Sequence, residues 1–239
     1  MLISFFFSRG VQGSLKTLVN LETLHFNNVE LSDIASPFIK TLQATTISSS
    51  GNSDGTIGRL SESLETLQVT QIQPEILGRF SNLKNLAILG AQAGLEDELS
   101  KLHKLEFVIL STQHHFHAHA DGRPVLEIGK LSGLKELRFL SISGFEFAAP
   151  DFPAYPFLHT LDMPGCSFDT TTLLQLAAHV PNLRCLGLAR CQTISKKRLL
   201  AADNRLKRVE LDNQFNALAL FPIIMTPTSA YWSGGARFL

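Results

Sequence analysis

The densest cluster of reactive side chains in this sequence is His114-His115-Phe116-His117-Ala118-His119. In an extended segment alternate residues share a face, so His115, His117 and His119 would present three imidazoles together. Neutral imidazoles so placed suit Zn²⁺ or a similar ion. A structural zinc site takes a fourth ligand and supporting hydrogen bonds behind it, and Asp121 is the nearby candidate. The competing reading is a histidine-rich loop with no metal. Cys166 and Cys191 stand at one position, eight residues after Leu158 and Leu183 respectively. They are expected to be structural thiols rather than a disulfide or metal pair, because three cysteines form no disulfide framework and an odd count fits a reducing compartment. For Cys185 no activating base can be identified. There is no Gly-x-Ser-x-Gly, no His-Glu-x-x-His and no glycine-rich phosphate loop. Asp162 on one repeat and Glu210 with Asp212 on another are scattered carboxylates. With no nucleophile or base that has an evident partner, the expectation is a protein without catalysis and without a cofactor.

The elements that hold these residues are written in a repeated phrase: leucine, two variable residues, leucine, one variable residue, an apolar residue. It occurs as Leu21–Leu24–Phe26, Leu64–Leu67–Val69, Leu83–Leu86–Ile88 and Leu105–Val108–Leu110. It continues as Leu137–Leu140–Ile142, Leu158–Leu161–Met163, Leu183–Leu186–Leu188 and Leu206–Val209–Leu211. The starts are separated by 43, 19, 22, 32, 21, 25 and 23 residues, mostly the period of a leucine-rich repeat. Such repeats cannot bury their apolar faces singly and must stack. The second half of each phrase alternates like a strand. The expected fold is therefore an α/β leucine-rich-repeat solenoid, a horseshoe with a concave parallel β-sheet of about eight strands and convex helices or irregular turns.

Helices are expected over residues 170–180, ended by Pro181, near 196–202, and near 75–80 behind Pro74. The 43-residue interval is about two repeats long, with a degenerate phrase at Ile39–Leu42–Ala44 followed by a polar loop insertion near 45–58. The 32-residue interval holds a second insertion near 113–126, which carries the histidines. The domains expected are 1–17 as an N-terminal cap or truncated repeat, 18–212 as the repeat domain, and 213–239 as a C-terminal cap or disordered tail.

Pro181-Asn-Leu-Arg-Cys-Leu-Gly-Leu-Ala-Arg-Cys191-Gln-Thr-Ile194, running to Leu199, resembles the cysteine-containing, ribonuclease-inhibitor-like leucine-rich repeat of F-box/leucine-rich-repeat proteins. The preceding repeat matches in part through Leu158, Leu161, Met163, Cys166, Phe168 and Leu173. In that family the cysteine points inward and bonds neighbouring turn backbone. The resemblance implies a substrate-recognition region similar to that of ubiquitin-ligase adaptors, with cullin-ligase components as partners if a fuller chain carries an F-box. No segment before Leu18 resembles an F-box, Val180 replaces a cysteine often found before the proline, and Ser195-Lys196 replaces Thr-Asp. The middle repeats resemble equally the irregular repeats of nucleotide-binding immune receptors.

Residues alternating with the strand leucines should face the concavity. Leu89, Phe107, Ile109 and Phe139 form an apolar centre across three neighbouring strands, with Ser141, Asp162, Arg208 and Glu210 toward one polar end. Apolar anchors inside a polar rim suit protein recognition. A one-residue slip would turn these side chains inward, and a folded-over histidine insertion would cover them. The expected function is a non-catalytic interaction module binding a protein partner on its concave sheet. The alternatives are the recognition region of an immune-type receptor and a metal-binding protein through residues 114–119.

Bulk properties narrow the remaining classes. Lys+Arg and Asp+Glu are both 21, which argues against a nucleic-acid partner. The apolar run from Met1 has no basic residue before it, and the run from Ala217 to Met225 contains Pro222 and is too short to span a bilayer. No Asn-x-Ser/Thr sequon occurs. Together these favour an intracellular protein, cytoplasmic or nuclear, with no membrane partner.

Overall fold

The computed structural model describes residues 22–30, 38–48, 60–112, 123–147, 152–166, 179–189 and 208–210. Strands β1 (Thr23–Glu30), β2 (Thr41–Ser48), β3 (Thr66–Ile72), β4 (Asn85–Ile88) and β5 (Phe107–Ser111) follow one another along one parallel sheet. After β6 (Val125–Leu126), the sheet continues with β7 (Phe139–Ser143), then β9 (Thr160–Asp162), β10 (Cys185–Gly187) and β11 (Arg208–Glu210). β8 (Glu146–Phe147) pairs with β6 in a separate two-stranded parallel sheet. The main sheet thus has nine described strands in the order β1-β2-β3-β4-β5-β7-β9-β10-β11, one more than expected. The additional strand is the degenerate phrase around Leu42.

The register explains the leucine phrase. Leu24, Leu42, Leu67, Leu86, Val108, Leu140, Leu161 and Leu186 are partners in consecutive strand pairs, and each is at most 3% exposed. Two residues farther along, Ala44, Val69, Ile88, Leu110 and Ile142 form a second buried row. The first leucine of each phrase forms a third, through Leu64, Leu83, Leu105, Leu137 and Leu158. Neighbouring strands lie about 4.8 Å apart, so equivalent side chains touch and one continuous core runs through the stack.

The segment between strands also repeats. The residue before each strand uses its carbonyl twice: Glu65 O accepts Lys84 N–H at 2.9 Å and Asn85 N–H at 3.0 Å, and Glu106 O accepts Arg138 at 2.8 Å and Phe139 at 3.0 Å. Both lone pairs are used where the chain enters the sheet.

Helix α1 (Pro74–Leu77) has proline in its first turn, as expected, and buries Ile76 and Leu77. It is shorter than the 75–80 segment, and Gly78 to Phe80 continue as turns. Helix α2 (Glu96–Leu99) packs between α1 and a 3-10 helix (Ile128–Gly133). The buried Glu96 carboxylate accepts the Glu127 N–H at 3.1 Å, tying α2 to the start of the 3-10 turn. Tyr155 is buried with its hydroxyl donating to Leu131 O at 3.3 Å. Burial pushes its phenol well above the usual range.

Two loop boundaries need correction. Thr45–Ser48, which composition places in a loop, belong to β2. Thr46 pairs with Asn28 and Gln71, and Ile47 with Val29 and Ile72. β-branched side chains suit a pleated surface, which outweighs the polar composition there. Val125 and Leu126, at the end of the second insertion, form β6. Residues 1–17, 49–58, 113–122, 196–202 and 213–239, and helix 170–180 apart from His179 and Val180, lie outside the described residues. No helix among the described residues is long and apolar enough to cross a membrane.

The leucine row makes a direct prediction. Leu140 is fully buried at the middle of it, so Leu140→Ala should lower unfolding free energy by about 2–5 kcal/mol, read from the urea midpoint.

Candidate functional site

On the face opposite the leucine rows, the register produces two more rows. One runs Thr66, Asn85, Phe107, Phe139, Thr160, Cys185. The other runs Gln68, Ala87, Ile109, Ser141, Asp162, Gly187. The concave face is thus apolar at its centre and polar on both sides, with the register free of the one-residue slip.

Phe107 and Phe139 are direct partners across β5 and β7. Side chains one strand apart on one face are close enough for aromatic rings to stack. Their centroids are 5.0 Å apart and the rings lie within 9° of parallel, a geometry that adds to area burial when the rings are offset. The four expected anchors differ in access. Phe107 and Leu89 are half-buried, whereas Ile109 and Phe139 are each 3% exposed. Phe107 and Leu89 therefore offer accessible apolar surface, and the buried Phe139 and Ile109 lie beside them on the same face. Toward β3 the apolar centre gives way to a hydrogen bond from Asn85 Nδ2 to Thr66 Oγ1 at 3.0 Å.

Toward β10 lies a group of three residues in one row. Ser141 Oγ donates to Asp162 Oδ2 at 3.1 Å. Asp162 is 2% exposed, and its Oδ1 has no partner among the described residues. Gly187 leaves the space that Oδ1 fills, since a Cβ at that position would overlap it. Burial pushes the carboxyl up from its ordinary value to about 7, and the Ser141 bond pulls it partly back. Of these residues, Ser141 and Asp162 were candidates from sequence separately. Their pairing, and the role of Gly187, depend on three repeats at once; the available signal was their shared position in consecutive phrases.

The other candidates are dispersed. Arg208 and Glu210 stand in register beside Cys185 and Gly187 in the last described strand of the sheet. Cys166 is buried, and its thiol donates to Ile142 O at 3.2 Å, as expected for an inward structural cysteine. It follows a turn in which Gly165 takes a φ of 66°, a left-handed conformation that glycine adopts without a Cβ clash. Cys185 is a half-buried free thiol. His25, at the far end of the concave face, is held below its usual pKa by burial, with a hydrogen bond to Gln43 opposing. His115, His117 and His119 lie outside the described residues.

No family model matches this chain, and no curated protein sequence does. Solved structures match it in fold. A leucine-rich-repeat protein of Leptospira interrogans superposes with a TM-score of 0.56 at 18% identity, over 82% of this chain and 50% of that one. A chain of the Toll–Spätzle complex of Drosophila gives 0.54 at 13% identity, over 83% and 27%. A chain of the octameric complex of Latrophilin 3, Unc5D and FLRT2, the last contributing leucine-rich repeats, gives 0.52 at 13%, over 83% and 69%. At these identities the likeness is one of fold, the α/β leucine-rich-repeat solenoid, and this chain spans half the length of the leptospiral structure.

Asp162 gives the site a pH signature. Between about pH 4 and pH 7 the folded state holds a proton that the unfolded chain releases, so its contribution to stability is lost as pH rises through that window. Asp162→Asn should remove this component and be more stable than the parent at pH 8 by about 1–3 kcal/mol, measured by urea unfolding at pH 5 and pH 8.

Proposed function

We propose that this leucine-rich-repeat solenoid is a non-catalytic recognition module that binds a protein partner on its concave sheet. The observation that carries the reading is the Phe107–Phe139 stack, with Phe107 and Leu89 half-buried inside a polar surround. Aromatic anchors backed by well-packed neighbours are where interface energy concentrates. Ile109 and Phe139 lie beside these anchors, Ser141 and Asp162 border them, and Arg208 and Glu210 set charge at the β11 end. Two of the structures that share the fold belong to protein–protein complexes, Toll with Spätzle and FLRT2 with Unc5D and Latrophilin 3, which supports the same use of the surface here.

Within that reading, the closer resemblance is to the substrate-recognition region of F-box/leucine-rich-repeat adaptors, supported by the motif from Pro181 to Leu199 and by the inward thiol of Cys166. An intracellular location, cytoplasmic or nuclear, goes with that proposal. A cullin adaptor among co-purified proteins would support the ligase role, and a nucleotide-binding domain on a fuller chain would instead support the immune-receptor reading.

Phe107→Ala tests the concave site. Half-buried and stacked on Phe139, it should shift the melting midpoint only slightly while weakening capture of the parent's cross-linked partner at least tenfold. Equal capture by parent and variant would sink the proposal.

A further inference from the structure

The residues that precede the strands form a charged rim along the entry edge of the sheet. Glu65, Lys84, Glu106 and Arg138 alternate in sign along this edge. Lys84 Nζ lies 3.1 Å from Glu65 Oε2, and Arg138 Nε lies 3.1 Å from Glu106 Oε2. The next two rim positions break the alternation. They are His159 and Arg184, and their backbone is held by the same ladder: His159 N–H donates to Arg138 O at 3.0 Å and Arg184 N–H to His159 O at 2.9 Å. Arg184 is exposed and has no carboxylate partner among the described residues. Arg138 meets Glu106 through Nε, which leaves its terminal amino groups for a second carboxylate.

We propose that this rim, at the starts of β7, β9 and β10, docks an acidic protein segment, with Arg138 and Arg184 as its guanidinium contacts and His159 between them. The chain has no net charge, so the attraction comes from this local excess. Two strand spacings separate the arginines, about 10 Å, which a peptide in the polyproline II conformation, with three residues per turn and a rise of about 3.1 Å, spans with carboxylates three residues apart on one face. Guanidinium forks match carboxylates in a paired, planar geometry. Burial and the charges of Arg138 and Arg184 hold His159 below its usual pKa. An acidic segment that offsets the arginines removes part of that cause, so docking takes up a proton at His159 and strengthens as pH falls. The charged groups acting on His159 are Arg138 from the β7 entry and Arg184 from the β10 entry, with Glu106 engaged on Arg138. The rim borders the concave face but needs no occupant there, so it goes beyond the function proposed above.

The test is fluorescence anisotropy with a fluorescein-labelled Glu-Ser-Thr repeat peptide at low ionic strength, using the full chain. The parent should bind it, and should not bind the peptide with Gln in place of Glu. Arg184→Glu should weaken binding at least tenfold and Arg184→Ala severalfold, while Lys101→Glu, the same charge change away from the rim, and Phe107→Ala should leave it unchanged. The proposal is overturned if the parent fails to bind, if the Gln peptide binds equally, or if Arg184→Glu binds like the parent. Equal loss in Lys101→Glu also overturns it, as does inorganic phosphate competing at concentrations equal to the peptide, which would make the rim a small-anion site.

Discussion

The fold and both faces of its sheet depend on the register of a parallel sheet in which each repeat supplies one strand. The spacing of about 4.8 Å between strands brings like positions of successive phrases into contact, row by row. The leucine row from Leu24 to Leu186 is the largest result. The Phe107–Phe139 stack, the Ser141–Asp162 bond and the ion pairs of the entry edge are others. Each contact joins neighbouring repeats, so the structure is held together by nearest-neighbour terms. A side chain in this fold has its most important surroundings one repeat away in sequence, at the same place in the phrase.

The two faces of the sheet use that rule to opposite ends. On the core side the rows are apolar and uniform, so exchanging Leu for Val or Ile changes little in pattern. On the concave side each row changes character along its length, from Thr66 and Asn85 through the phenylalanines to Thr160 and Cys185. From β3 to β10 the two rows of this face hold one charged residue, the buried Asp162, and charge is concentrated at the entry edge. The same backbone ladder therefore presents an aromatic centre and a charged margin within one or two residues of each other.

Periodicity made the architecture legible, because Leu-x-x-Leu-x-Leu specifies which residues turn inward without reference to anything distant. It also placed Phe107 and Phe139 together, since both occupy the same slot. It was less informative where composition and register compete. Thr45 to Ser48 look like loop by composition, but Thr46 and Ile47 have partners on both sides and extend β2. The Asp162 environment was harder still. Its pKa depends on a hydroxyl from the preceding repeat and a missing side chain in the following one, and no single phrase contains both. The signs of the entry-edge residues were visible in the sequence, but which ones neutralise each other became clear only with strand order.

Gly187 couples two repeats more tightly than its size suggests. Because its absent side chain is the space in which the Asp162 carboxylate sits, the two positions form one evolutionary unit. A relative that acquires alanine or serine at the place of Gly187 is expected to carry a smaller, uncharged residue at the place of Asp162, and the two changes should be found together. Such paired substitution across a gap of one repeat would leave the leucine phrase untouched while rewriting the chemistry of the face it supports.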